Sequence, residues 1–276
     1  MFIHPRELPA PSTTLRFWVV RFLAILLLAA VAALLFGRAM DRDLNHDEHQ
    51  FLAPGALMAR QGLQPYRDYP LFHLPNMVFL YAGLDAVFHR PILTAKIASV
   101  VASTLVAALI VGILVAGGSK DARTATRAFV WSLGLVGLLI CDPLFLYTAG
   151  KTWNHEVPTM FAVLAVVLHV RAWERRSLGA LMGAGLCLAL AIGGRLTFAP
   201  LALAFAVSFF WFPVDWKQRF KLVGWFTLGG LLGTLPSLYY LVTVPEAFIF
   251  GNLQFPRDRL LDPENTRVQK TAVWWR

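Results

Sequence analysis

From Phe17 to Gly37 the chain carries one charged residue, Arg21. A helix crossing a bilayer needs about 20 mainly apolar residues, so this run alone restricts the chain to folds that use lipid as solvent. Further apolar stretches cover 92–116, 128–147, 157–170, 178–194, 197–212 and 222–244. Only 15% of the 276 residues are charged and 57% are hydrophobic, against roughly 25% charged in soluble domains. The expected fold class is an all-α, polytopic membrane bundle of about seven spans. A net charge of +9 would point to nucleic acid in a soluble protein. Here the basic residues cluster between apolar runs, as topology signals and contacts for anionic lipid do. No nucleic-acid partner is expected.

Residues 1–16 are polar and carry Pro5, Pro9 and Pro11, and read as a disordered cytoplasmic tail. The run that follows is long enough to span and has no A-x-A-like cleavage site after it, so it is not a removable signal peptide. Cys141 and Cys187 both lie in apolar runs without metal-ligand spacing.

Orientation follows from the basic connections Lys120/Arg123/Arg127, Arg171/Arg175/Arg176 and Lys217/Arg219/Lys221, with Arg6 and Arg16 in the tail. Placing all of them in the cytoplasm requires 74–88 not to cross. At about 1.5 Å per residue that stretch reaches only about 22 Å of the roughly 30 Å core. It also holds Asp85 and opens at Pro75, which fits a re-entrant or interfacial helix. The competing topology makes 74–88 a span and puts Asp47 in the cytoplasm. In the favoured one, the transmembrane domain covers 17–244, residues 38–91 form a first extracytoplasmic loop with interfacial helices, and 245–276 form an extracytoplasmic C-terminal segment. Residues 148–156 and the turn Gly193-Gly194-Arg195 then share that face, so ionisable clusters far apart in the chain converge on one rim.

The first cluster is Asn45-His46-Asp47-Glu48-His49. Asn45 is a good N-cap, and Glu48 falls where a capping-box carboxylate belongs. The helix is expected to run to about Gln61 and to end on a left-handed Gly62. Asp47 and Glu48 are the catalytic candidates, with capping and dipole complementation as their structural alternative. His46 and His49 stand one turn apart and, with Glu156, offer donors for a divalent metal. The run does not match H-E-x-x-H, and solvated histidines are the commoner case. No cofactor follows from this stretch. The loop Gln64–Pro75 is extended by its prolines, and its Tyr66, Tyr69 and Phe72 offer a stacking face for a sugar ring. In the second outer loop Lys151, Trp153, His155 and Glu156 gather at a helix start, with Asn154 as N-cap and Pro158 just inside the helix. Arg195 sits in an otherwise apolar stretch and calls for an anionic partner, a lipid phosphate or a carboxylate.

The N-terminal span, the Asp-Glu at a helix start, and the Gly-x-x-Pro-Tyr-x-Asp stretch from Gly62 to Asp68, followed by a Pro/Leu-rich entry to a short apolar helix, resemble the GT-C fold glycosyltransferases. The likeness is to the protein O-mannosyltransferase and aminoarabinose transferase group, over about residues 17–245. The resemblance implies a polyprenyl-phosphate sugar donor, a catalytic role for Asp47, a second acidic position at Glu156 with His155 beside it, and a basic residue at Arg195. Members of that family continue through further spans, whereas this chain stops at Trp274-Trp275-Arg276 and reads as short.

The function expected is inverting transfer of a sugar to an acceptor hydroxyl on the extracytoplasmic face of a bacterial inner membrane. Asp47 would act as general base, with Glu48 or Glu156 orienting it, and Arg195, Lys151 and Arg67 would meet the phosphate. Rival readings are a transporter, which predicts ionisable groups at mid-membrane, and a non-catalytic or truncated protein that binds lipid phosphate.

Overall fold

The structure is a computed structural model that describes residues 11–117 and 122–261. Among these the chain is all-helical. Among the described residues five helices are long and apolar enough to cross a membrane: Trp18–Asp41, Pro91–Val115, Thr124–Cys141, Glu156–Arg175 and Trp216–Thr243. Asn76–Phe88, Leu178–Gly194 and Leu196–Trp211 are apolar but shorter. The chain divides into two compact units, one holding residues up to Asp43 with Lys96–Lys151, the other Leu44–Ala95 with the residues from Thr152 on.

The first unit contains helix α1 (Pro11–Asp41), most of α4 (Pro91–Gly117), α5 (Ala122–Cys141) and α6 (Pro143–Thr148). Helix α1 already starts at Pro11, so residues 11–16, expected in the tail, are helical. Residues 1–10, Lys120 and the segment 262–276 lie outside the described residues. Val31, Leu35 and Ala39 of α1 pack with Val100, Ala107 and Val111 of α4 and with Val136 of α5. The charge in the 92–116 run, Lys96, is buried and donates to the Ala39 carbonyl at 2.9 Å and the Arg42 carbonyl at 2.5 Å. It thereby satisfies carbonyls that the end of α1 leaves without helical partners. The expected single span over 128–147 is instead broken at Asp142. Its carboxylate accepts from Leu144 N at 3.0 Å and Pro143 takes the first helical position, so a new short helix starts there.

The second unit contains α2 (His49–Gln61), α3 (Asn76–Phe88), α7 (Glu156–Arg175), α8 (Leu178–Gly194), α9 (Pro200–Ser208), α10 (Trp216–Thr243), α11 (Pro245–Ile249) and α12 (Phe255–Leu261). Helix α8 packs against both α7 and α10. Its approach to α10 is close enough that a Cβ on Gly185 would collide with the Phe226 carbonyl, and one on Gly229 with the Met182 carbonyl. Small residues permit this contact where lipid provides no hydrophobic drive between helices. The 197–212 stretch, read as one span, is an α-helix of 9 residues between two 3₁₀ turns. Pro200 stands at the start of that helix and fixes where it begins. The basic residues Lys217, Arg219 and Lys221 lie on the opening turns of α10 rather than in a connection. Helices α2 and α3 are clipped by a two-pronged ion pair, Arg60 Nε to Asp85 Oδ2 at 2.7 Å and Arg60 Nη2 to Asp85 Oδ1 at 2.9 Å. That pair holds the Asp85 carboxyl below the usual carboxylate range.

Candidate functional site

The Asn45 start forms as its residues dictate, with one difference. His46–Glu48 make a 3₁₀ turn before α2 begins at His49, and the capping box between Asn45 and Glu48 is complete. Helix α2 ends at Gln61, and Gly62 adopts φ 69°, the left-handed region where glycine carries no Cβ penalty.

Glu48 is 1% exposed. One carboxylate oxygen accepts from Asn45 N at 2.5 Å; the other accepts from Thr152 N at 2.6 Å and Thr152 Oγ1 at 3.1 Å. The carboxylate therefore ties the second loop to the start of α2. Glu48 was expected beside Asp47 as a catalytic group; in the structure both its oxygens are turned into the fold and accept from Asn45 and Thr152. Asp47, its neighbour, is exposed, and its Oδ1 accepts from Gln50 Nε2 at 3.2 Å.

Asp47 lines an open depression of about 240 Å³ with Gln50, Phe51 and His73 on one side and Trp153, Asn154 and His155 on the other. The far wall connects to Arg195, whose Nη1 lies 2.5 Å from the His155 imidazole nitrogens and whose Nε donates to Thr197 Oγ1 at 3.0 Å. The guanidinium has no lone pair to offer, so the contacting imidazole nitrogen is the acceptor. Burial lowers the Arg195 pKa, and the Glu156 charge acts in the opposite sense. Glu156 itself is 5% exposed at the first position of α7. The His155 and Trp153 rings lie 5.2 Å apart, and the Trp153 carbonyl accepts from Tyr81 Oη at 3.3 Å. Asn154 is not the N-cap of α7; His155 holds that position without a side-chain cap.

The hydrogen-bonded pair Gln50 and His73 in the depression escaped the sequence reading. Gln50 bridges Asp47 and His73, its Oε1 lying 3.1 Å from His73 Nε2. A carboxylate only accepts, so the amide nitrogen must face Asp47 and the amide oxygen His73, which makes Nε2 of His73 the protonated nitrogen. The His73 pKa is lowered, first by burial and then by the Arg195 charge, with Asp47 opposing. No local pattern in Leu71-Phe72-His73 announces this. His73 reaches the site only because the Pro-rich loop folds back over α2, where its ring meets Phe51 at 4.8 Å.

Other candidates are placed elsewhere. Tyr66 is buried against Tyr240 and Phe248, donates to the His73 carbonyl and accepts from Asn252 Nδ2 at 3.1 Å. Tyr69 donates to the Pro54 carbonyl at 3.2 Å, and Phe72 stacks on Phe255 at 4.1 Å. The three aromatics therefore do not form one stacking face: the turn from Pro65 to Tyr69, with φ 65° at Tyr66, sends them in different directions. Asp68 caps that turn at Gln64 N, 2.6 Å away. Arg67 is exposed on it and does not line the depression. Lys151 belongs to the first unit, with its ammonium 3.4 Å above the Tyr147 ring centre. Among the described residues no group of three His, Cys, Asp or Glu could hold a metal; His49 is exposed and the His46 side chain lies outside the described residues.

Among the described residues the protein is all-helical, with helices suited to a membrane. Scans of family models, curated proteins and solved structures return no match to it.

Proposed function

We propose that the chain is a membrane glycosyltransferase of GT-C type, moving a sugar from a polyprenyl-phosphate donor to an acceptor hydroxyl. The acceptor proton passes to Asp47 as the acceptor oxygen forms the new bond to the sugar. The bond from sugar to phosphate breaks, and the polyprenyl phosphate leaves with its electron pair toward Arg195. No covalent intermediate is required. Glu48 acts through position alone, and Trp153 and His155 flank the sugar. The bundle has seven crossings in this reading, with the shorter α8 and 196–211 segments added to the five long helices and α3 at the interface. It sits in a bacterial inner membrane with Asp47 on the extracytoplasmic face.

The observation that carries the reading is the meeting, inside one compact unit, of an exposed carboxylate from residue 47, the 153–155 loop and the cation at residue 195. Transport is less well supported, because these groups cluster at helix ends and in loops rather than in a broken mid-span helix. Two measurements test the proposal. A cysteine at the exposed position 49, in a chain lacking Cys141 and Cys187, should react with an impermeant thiol reagent in intact cells. Polyprenyl phosphate should bind the purified chain about tenfold more weakly after Arg195→Gln. Labelling only after permeabilisation, or unchanged phosphate binding, would reject it.

A further inference from the structure

A second and larger cavity borders the depression. It measures about 740 Å³, in the range of ligand pockets (about 300–1,000 Å³). Leu71, Phe72, Phe255 and Pro256 form its apolar walls, and Arg259 stands at its edge. Gln50 and His73 line both cavities, so the amide–imidazole pair stands between the two. The Phe72–Phe255 stack holds the loop against α12. The groove therefore offers an apolar trough, a polar pair shared with the Asp47 depression and a cation in its lining.

We propose that this groove is the acceptor subsite and that the acceptor is an amphipathic, anionic alcohol. Its apolar chain lies along Phe72 and Phe255, and its acidic group meets Arg259. Its hydroxyl passes the Gln50–His73 pair to Asp47. The word acceptor rests on the transfer reading above; occupancy of the groove does not. The polar pair shared with the Asp47 depression and the charge of Arg259 select this occupant over a neutral lipid tail, which would gain nothing from the cation or the polar pair.

The test uses 12-hydroxydodecanoate bearing a mid-chain diazirine, photolysed with the full chain in lipid nanodiscs. Labelling should be saturable, fall on 70–73 and 255–259, and be displaced by unlabelled 12-hydroxydodecanoate. Arg259→Glu should weaken the probe about tenfold, as loss of a charge-assisted bond implies, while neutral dodecane-1,12-diol competes equally well on both forms. Unsaturable labelling spread over the long apolar helices, or a probe affinity indifferent to Arg259→Glu, overturns the groove assignment. Saturable groove labelling in a chain that transfers no sugar to the probe overturns the transfer reading alone. Transfer with no groove labelling overturns the groove alone.

Discussion

Replacing Glu48 with alanine should separate the second loop from the start of α2. The side chain receives Asn45 N–H, Thr152 N–H and the Thr152 hydroxyl in a site that is 1% exposed. A buried donor left without a partner costs about 1–3 kcal/mol, and loss of a capping interaction about 0.5–2 kcal/mol. The Thr152 hydroxyl can turn to another acceptor, so the expected sum is about 1.5–5 kcal/mol. Thr152→Val removes only the hydroxyl bond and should cost about 1 kcal/mol. In the double mutant the two effects should fall short of additive, because they share one interaction. SDS-driven unfolding followed by far-UV circular dichroism gives the energies, and amide hydrogen exchange at Thr152 reports the local opening. A Glu48→Ala cost under about 1 kcal/mol, or an unchanged Thr152 exchange rate, would refute the account of Glu48 as the tie between these segments.

Two further outcomes follow from the packing and the charges. The folded state holds His73 below its ordinary pKa of 6.5, so the unfolded chain binds the extra proton first. The associated stability is complete above about pH 6.5 and declines as pH falls toward the lower folded-state value. His73→Asn should flatten that acid limb in unfolding measured at stepped pH, and an unaltered limb would contradict it. Gly229→Leu would drive a side chain into the Met182 carbonyl of α8; it should destabilise the second unit by about 1–3 kcal/mol or more, while Gly224→Leu, where a Cβ meets open space, should cost under about 1 kcal/mol.

The parts of the fold legible in the sequence are those with local causes. The Asn45–Glu48 box, the Gly62 stop and a short apolar helix near 74–88, found at Asn76–Phe88, all follow from neighbouring residues and length. The break at Asp142 was local too, since Asp-Pro is a helix start, but the apolar run around it hid the signal. Lys96 was not legible as a cap for α1, because its acceptors are carbonyls more than fifty residues away in the chain. The same holds for the site. Asp47, His155 and Arg195 stood out as ionisable groups in an apolar chain, whereas His73 and Gln50 depend on how the Pro-rich loop folds back. Tyr66 misled for a physical reason: an aromatic in a polar loop looks like a ligand platform, yet its left-handed backbone points the ring into the core.

The most direct test is turnover by the purified full chain in proteoliposomes, with a set of polyprenyl-phosphate-linked radiolabelled sugars and release of polyprenyl phosphate as the readout. Wild type should release it, and Asp47→Asn should do so about 10²–10⁴-fold more slowly with donor binding intact. Equal rates for the two proteins would contradict the assignment of Asp47 as the base.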